Sequence, residues 1–498
     1  MQRASGILMP VFSLPSPYGI GSLGAEAYSF ADFLSAAAQS YWQVLPIGPT
    51  SYGDSPYQSF SSFAGNPYFI DLTALEQSGL LKLAEIEACD FGLDNTRIDY
   101  CKLYKNRLPL LEKAYNRINF RLKKELAEFK EVNSFWLDDY ALFMAVKENF
   151  GMVALSEWPD EAIRLRQPEA LAVYRKALAD RVDFHCFLQM LFFQQFAALK
   201  NYCNKQGIRL VGDLPIYVPA DSADFWASPQ LFQVDKDYKP TYISGCPPDS
   251  FSDDGQLWGT PVYDWPAHKN DHYAWWRLRV KAQAELFDVI RIDHFRGLES
   301  YWRVPAEEET ARNGEWVKGP GLELIRALQS LTPAPKIIAE DLGFLTTEVR
   351  ELLHQTGYPG MKVLQFAFNS RECSDYLPHF YNTNSVCYTG THDNTTVAAW
   401  FDEAAEADKK LAVEYLGLSD IEGYNWGLLR GGLSSVSKLF IAPLADYLNL
   451  GLKARINIPG TTGGNWTWRL DKNLLTKELA DKISRMTYVF GREGCKKK

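Results

Sequence analysis

Long uninterrupted apolar runs are missing from this 498-residue chain. A stretch without charge extends from Arg3 to Glu26, but proline and glycine break it repeatedly, so it is not a membrane helix. Met1 to Phe12 has no apolar region ending in a small-residue cleavage site, and no signal peptide is read there. Excess positive charge is also lacking. The net charge is −9 and the pI near 5.5, which excludes a phosphate-backbone partner that would require a basic face. The eight cysteines include no CxxC pair, and a chain this long needs no disulfide staples. Reduced thiols in a cytoplasmic enzyme are expected. Gly431-Gly432 and Gly463-Gly464 build neither a GxGxxG turn nor a phosphate loop, so no cofactor is indicated. The run Asp249 to Gly255 lacks the alternating oxygen ligands and closing glutamate of a calcium loop and is read as a polar turn. No metal site is assigned, and no nucleic acid, membrane or obligatory protein partner is expected.

What is present is apolar residue in quantity, 46% of the chain, enough for a large core. Aromatic residues make up 14%; most are expected in that core, while those in loops suit stacking on the flat faces of sugar rings. Short apolar segments read as strands at residues 6–12, 41–47, 208–218, 287–294, 336–342, 361–368, 385–391 and 452–458. Most are continuous apolar runs, the pattern of parallel strands covered on both faces. Eight strands alternating with helical stretches predict an α/β fold, a (β/α)8 TIM barrel, with a doubly wound open sheet as the alternative.

Three insertions are expected within this single catalytic domain. Residues 73–206 read as a helical subdomain, in which Phe184, Phe187, Leu188, Leu191 and Phe192 form a core-facing stripe closed by Gly207. Residues 219–276, rich in Pro, Gly, Asp and Trp, read as a loop-rich subdomain over the barrel mouth. Residues 395–449 read as a second helical insertion. The terminal Lys496–Lys498 run reads as a solvated tail.

Barrel active sites lie at the C-terminal strand ends. Four of those ends carry acids: Asp213, Asp293, Glu340 and Asp393, with His294 and His392 beside two of them. One Asp after a strand is an ordinary helix cap. Four converging in one mouth would repel, which costs stability and points to catalysis. A retaining glycosidase needs two carboxyls about 5–5.5 Å apart, one attacking the anomeric carbon and one protonating the leaving oxygen. Arg291, two residues before Asp293 on the same strand face, would keep Asp293 ionised as the nucleophile. Glu340 has no adjacent cation in sequence and would keep its proton, as a general acid must.

The segments Arg291–Gly297, Ala339–Gly343, Tyr388–Asn394 and Asp213–Val218 resemble signature regions of the α-amylase clan. Tyr52–Gln58 with Gly65–Tyr68, Gly245–Asp249 leading to Gln256–Gly259, and Gly463–Trp466 resemble the amylomaltase, or disproportionating-enzyme, family of 4-α-glucanotransferases. The resemblance runs from Ile7 to about Arg469. It implies a barrel with inserted subdomains and no C-terminal β-sandwich, acting on maltooligosaccharides and α-1,4-glucans by double displacement with retention. It further implies Asp293 as nucleophile, Glu340 as acid and then base, and Asp393 gripping sugar hydroxyls. Asp213, Arg291, His294 and His392 would line the central subsite, with Tyr57, Trp258 and Asn465 contacting the glucan further along. The chain departs from the family where Thr395-Thr396 replaces a common acidic residue.

Ordinary readings stand beside these. Trp258 and Tyr57 also fit simple packing, and the remaining histidines are assigned no role. A clan hydrolase would share the catalytic residues and differ only in the acceptor. A glucan-binding module with a degenerate site, and a metal-dependent barrel hydrolase using His392 and Asp393, are the other readings kept.

Overall fold

The computed structural model describes residues 3–248, 253–343 and 345–494. Asp249 and residues 250–252 of the polar turn, Cys495 and the Lys496–Lys498 tail lie outside the described residues. Twelve strands occur among those described: β1 (Ala4–Leu8), β2 (Tyr41–Gln43), β3 (Arg209–Pro215), β4 (Tyr242–Cys246), β5 (Gln256–Pro261), β6 (Val289–Asp293), β7 (Ser300–Pro305), β8 (Glu315–Lys318), β9 (Ile337–Ala339), β10 (Gly360–Val363), β11 (Ser385–Tyr388) and β12 (Leu439–Pro443). Eight of them form one parallel sheet in the order β10-β11-β12-β1-β2-β3-β6-β9. The two outer strands meet where Ala339 N–H donates to the Pro359 carbonyl at 2.9 Å and Met361 N–H to Asp341 Oδ1 at 2.6 Å. The sheet curls into a (β/α)8 barrel with helices around it, and after β12 the described chain runs through turns into the helix Lys477–Val489 with no further sheet.

Seven expected strands are found with shifted ends; the eighth is a correction. Residues 452–458 form no strand but a 3-10 turn at Leu452–Ala454 followed by irregular chain. The eighth barrel strand is β12, within the span expected to be a helical insertion. The physical reason is burial on both faces. Leu439-Phe440-Ile441-Ala442-Pro443 is wholly buried, whereas Lys453 and Arg455 in the expected segment would carry charge into the sheet. Helices Val397–Glu403, Glu406–Leu416 and Tyr424–Ser434 fill the chain before β12. The span 219–276 is also more ordered than its composition suggests. It carries β4 and β5, which join β7 and β8 in an antiparallel sheet ordered β5-β4-β7-β8.

Between β2 and β3 the stripe Phe184, Phe187, Leu188, Leu191 and Phe192 is buried on helix Ala179–Lys205. His185, Cys186, Gln189 and Met190 are buried too, because this helix packs against both the barrel and helix Phe120–Asn149. Gly212, next to Asp213 in β3, shows how tightly helix and strand fit. A Cβ there would lie 2.1 Å from the Phe287 ring. Gly212→Ala is expected to destabilise the fold by about 3 kcal/mol through overpacking, measured by urea unfolding.

Candidate active site

Strand register brings the acids together. In the β3–β6 ladder Asp213 pairs with Arg291 and Pro215 with Asp293. In the β6–β9 ladder Ile292 pairs with Ala339, so Glu340 follows on the strand beside Asp293. Adjacent strands lie about 4.8 Å apart, which puts the two carboxyls at neighbouring strand ends.

The site has a buried floor and an open upper layer. In the floor, Arg291 Nη1 donates to both oxygens of Asp213, at 2.7 and 2.8 Å, with the two side chains 3% and 0% exposed. The same nitrogen lies 2.9 Å from Asp293 Oδ1. Tyr57 Oη donates to Asp213 Oδ2 at 2.7 Å while its ring stacks on His392 at 5.1 Å. Asp213 and Arg291 are therefore held beneath the mouth, one supporting the other. Above them the side chains of Asp293 and Asp393 are 29% and 44% exposed and reachable from the mouth.

Glu340 is fixed by backbone on both sides. Its Oε2 accepts from His294 N–H and its Oε1 from Leu342 N–H, each at 2.8 Å. His294 adopts a left-handed φ of 53°, uncommon for a bulky residue, and this kink turns its N–H onto Glu340. Burial raises the pKa of both Asp293 and Glu340. Arg291 opposes that rise in both, but it touches only Asp293, which is taken to about 6; Glu340, with Asp293 adding an upward push and the Leu342 N–H a downward one, is taken to about 7. Of the two, Glu340 is the carboxyl raised further and so the last to give up its proton.

Asp393 is the opposite case. Burial works to raise its pKa, but His392 Nε2 at 3.3 Å and Asn457 Nδ2, donating to Oδ1 at 2.7 Å, hold it at about 2. His392 is raised in turn, the Asp393 carboxylate overcoming burial. His294 is lowered to about 3 by burial and by Arg296, so its imidazole is neutral at ordinary pH. Trp258 stands edge-on to His294 at 4.6 Å and is only partly buried.

Of the residues expected here, Asn465 alone has its side chain spent elsewhere. Its Oδ1 accepts from Ile458 N–H and its Nδ2 donates to Thr461, pinning the loop between them. The next residue, Trp466, reaches the cluster, 5.8 Å from Tyr57 and 6.1 Å from His392. Asn457 and Arg455 were missed by sequence reasoning. Asn457 bonds Asp393 directly, and Arg455 Nη2 donates to the Asp393 carbonyl at 3.1 Å. Both lie in residues 452–458, the segment read as a strand, where no polar residue was assigned a role. Asn457→Ala is expected to reduce kcat/KM by roughly 10–100-fold, the worth of a hydrogen bond to a charged group, without loss of secondary structure by circular dichroism.

Among the described residues no group of three or more His, Cys, Asp or Glu is arranged to hold a metal ion. None of their helices is long and apolar enough to cross a membrane.

Comparison with known proteins finds similarity over nearly the whole chain. The family model for 4-alpha-glucanotransferase matches residues 9–476. A 4-alpha-glucanotransferase of Clostridium butyricum is 48% identical over 486 residues, covering 97% of this chain and 100% of its own. One from Thermus thermophilus is 44% identical over 497 residues, with 98% of each covered. The amylomaltase from Streptococcus agalactiae, solved in complex with acarbose, superposes with a TM-score of 0.96 at 41% identity and covers 99% of this chain and 100% of its own. A barrel whose strand ends assemble this acid cluster, matched at this level from end to end, belongs to the 4-alpha-glucanotransferase family of enzymes, transferases acting on α-1,4-glucans.

Proposed function

We propose that the enzyme moves a segment of an α-1,4-glucan to the 4-hydroxyl of another glucan, or of glucose, by a retaining double displacement. In the first step an Asp293 oxygen attacks the anomeric carbon, the bond to the leaving oxygen breaks, and that oxygen takes the proton of Glu340. In the second, the acceptor 4-hydroxyl attacks the same carbon, gives its proton to Glu340, and releases Asp293. The observation that carries this reading is the unequal treatment of two adjacent carboxyls: Arg291 forms an ion pair with Asp293 at 2.9 Å, while Glu340 forms none among the described residues and is buried beside Asp293. One acid is kept as a nucleophile and the other as a proton donor.

Asp393, held anionic and half-exposed, grips sugar hydroxyls in this reading, with His392 beside it and His294 lining the same subsite next to Trp258. Tyr57 and Trp258 offer ring surface to the glucan. Asp213 and Arg291 act from beneath, keeping Asp293 charged and aligned. The span 219–276 covers the mouth through Trp258.

Incubation of the protein with maltotriose and EDTA, followed by chromatography, tests the reading. The expected result is free glucose with a ladder of longer maltooligosaccharides, undiminished by the chelator. Shorter products alone, with rising reducing ends, would make it a hydrolase. No turnover would leave a binding module.

A further inference from the structure

Asp446 belongs to none of the motifs above. It sits in the short helix Leu444–Tyr447 directly after β12 and is 1% exposed. Its carboxylate reaches two points on the neighbouring chain. Oδ2 accepts from Thr389 Oγ1 at 2.5 Å, and Oδ1 accepts from Val397 N–H at 2.8 Å. Its own carbonyl accepts from Asn425 Nδ2 at 3.0 Å, tying it to helix Tyr424–Ser434. Thr389 is the first residue after β11, and Val397 opens helix Val397–Glu403. His392 and Asp393 lie between them. One side chain therefore holds both ends of the loop that presents these two residues to the mouth.

Other contacts organise that loop locally. Asn394 Oδ1 accepts from Thr391 N–H and Oγ1, and Gln365 Nε2 donates to the Thr395 carbonyl. Gln365 bridges much of the same span, its N–H donating to the Thr389 carbonyl at 3.2 Å, but Asp446 alone among these reaches both Thr389 and the first helical residue through one side chain. Its two donors are neutral, so the carboxylate is buried against a hydroxyl and an amide, and burial pushes its pKa up to about 6. A buried polar group in this setting costs stability unless its hydrogen bonds are kept. Here those bonds serve the loop.

We propose that Asp446 is a positioning residue for glucan transfer, acting through Thr389 and Val397 to hold His392 and Asp393 where they meet the sugar. This rests on the reading of Asp393 given above. A displacement of about 1 Å at a group that contacts the transition state costs on the order of 100-fold in rate. Asparagine preserves the clamp: its oxygen accepts from Val397 N–H and its amide donates to Thr389 Oγ1, whose hydroxyl rotates to accept. Alanine removes both bonds.

The test combines steady-state kinetics on maltotriose with NMR titration of the His392 imidazole in Asp446→Ala, Asp446→Asn, Thr389→Val and Asp393→Asn. In Asp446→Ala, kcat is expected to fall roughly 30-fold or more with KM within about threefold. His392, which Asp393 raises, is expected to titrate lower, toward its ordinary value. Asp446→Asn is expected to keep kcat within about threefold and to leave the His392 titration in place. Thr389→Val is expected to fall between, and combining it with Asp446→Ala to add little. The proposal is overturned if Asp446→Ala keeps full kcat per folded molecule, if Asp446→Asn is as impaired as alanine, or if His392 titrates unchanged in the alanine variant. Should that variant not fold, an unchanged kcat and His392 titration in Thr389→Val overturn it equally. A fully active Asp393→Asn would remove the reading of Asp393, while the His392 titration still decides whether the clamp exists.

Discussion

Replacing Asp293 by asparagine is expected to reduce transfer from maltotriose on the order of 10⁴-fold or more, the scale on which loss of a covalent nucleophile acts. That corresponds to about 5.5 kcal/mol of barrier. The reason lies in the floor of the site. Arg291 is already committed to Asp213 and supplies the contact that keeps Asp293 ionised against burial. Asparagine fits the same space but has no charge to give to the anomeric carbon. The fold should not suffer. A carboxyl whose folded pKa is raised costs stability once pH exceeds its unfolded value, because the unfolded chain ionises it more readily. Its neutral analogue escapes that cost, so the melting temperature of Asp293→Asn should equal or exceed that of the wild type at neutral pH. Retained turnover, or inactivity that tracks unfolding, would overturn the assignment.

Glu340→Gln should lower transfer from maltotriose by roughly 10²–10⁴-fold, the usual contribution of general acid–base catalysis. The loss depends on the donor. A glucosyl fluoride leaves without needing a proton, so formation of the covalent intermediate from it should be nearly as fast in the variant as in the wild type. The pH profile supplies a second check. Glu340 must be protonated to start the reaction, and its pKa is raised by burial and then by Asp293. Activity should therefore fall as pH rises through that raised value, and this alkaline limb should vanish in Glu340→Gln. If the fluoride is no better a donor than maltotriose in the variant, Glu340 is not the acid.

The sites of these two predictions were legible in the chain because strand ends are marked locally. Asp213, Asp293, Glu340 and Asp393 each follow a short apolar run, and the i, i+2 spacing of Arg291 and Asp293 puts them on one strand face. The eighth strand was not legible by the same rule. Leu439–Pro443 is an apolar run like the others, but it lies among helical patterns. Residues 452–458 mimicked a strand by alternation that a barrel buried on both faces does not use. That misplacement also hid Asn457 and Arg455, whose partners lie at Asp393.

The sequence by itself determined the barrel, the acids at its mouth and the chemistry they suit. Apolar periodicity reports burial residue by residue, and burial places most strands and their ends. Only the tertiary structure decided which polar group meets which. Tyr57 bonds Asp213 across 156 residues, Asn457 bonds Asp393 across 64, and Asp446 bonds Thr389 across 57. Such pairings are set by where separate strand ends land when the sheet closes. The closed barrel excludes water and leaves each buried carboxyl to find its donor among neighbours distant in sequence. The division of labour proposed for Asp293 and Glu340 rests on that closure, since each acid's charge depends on partners brought to it by other strands.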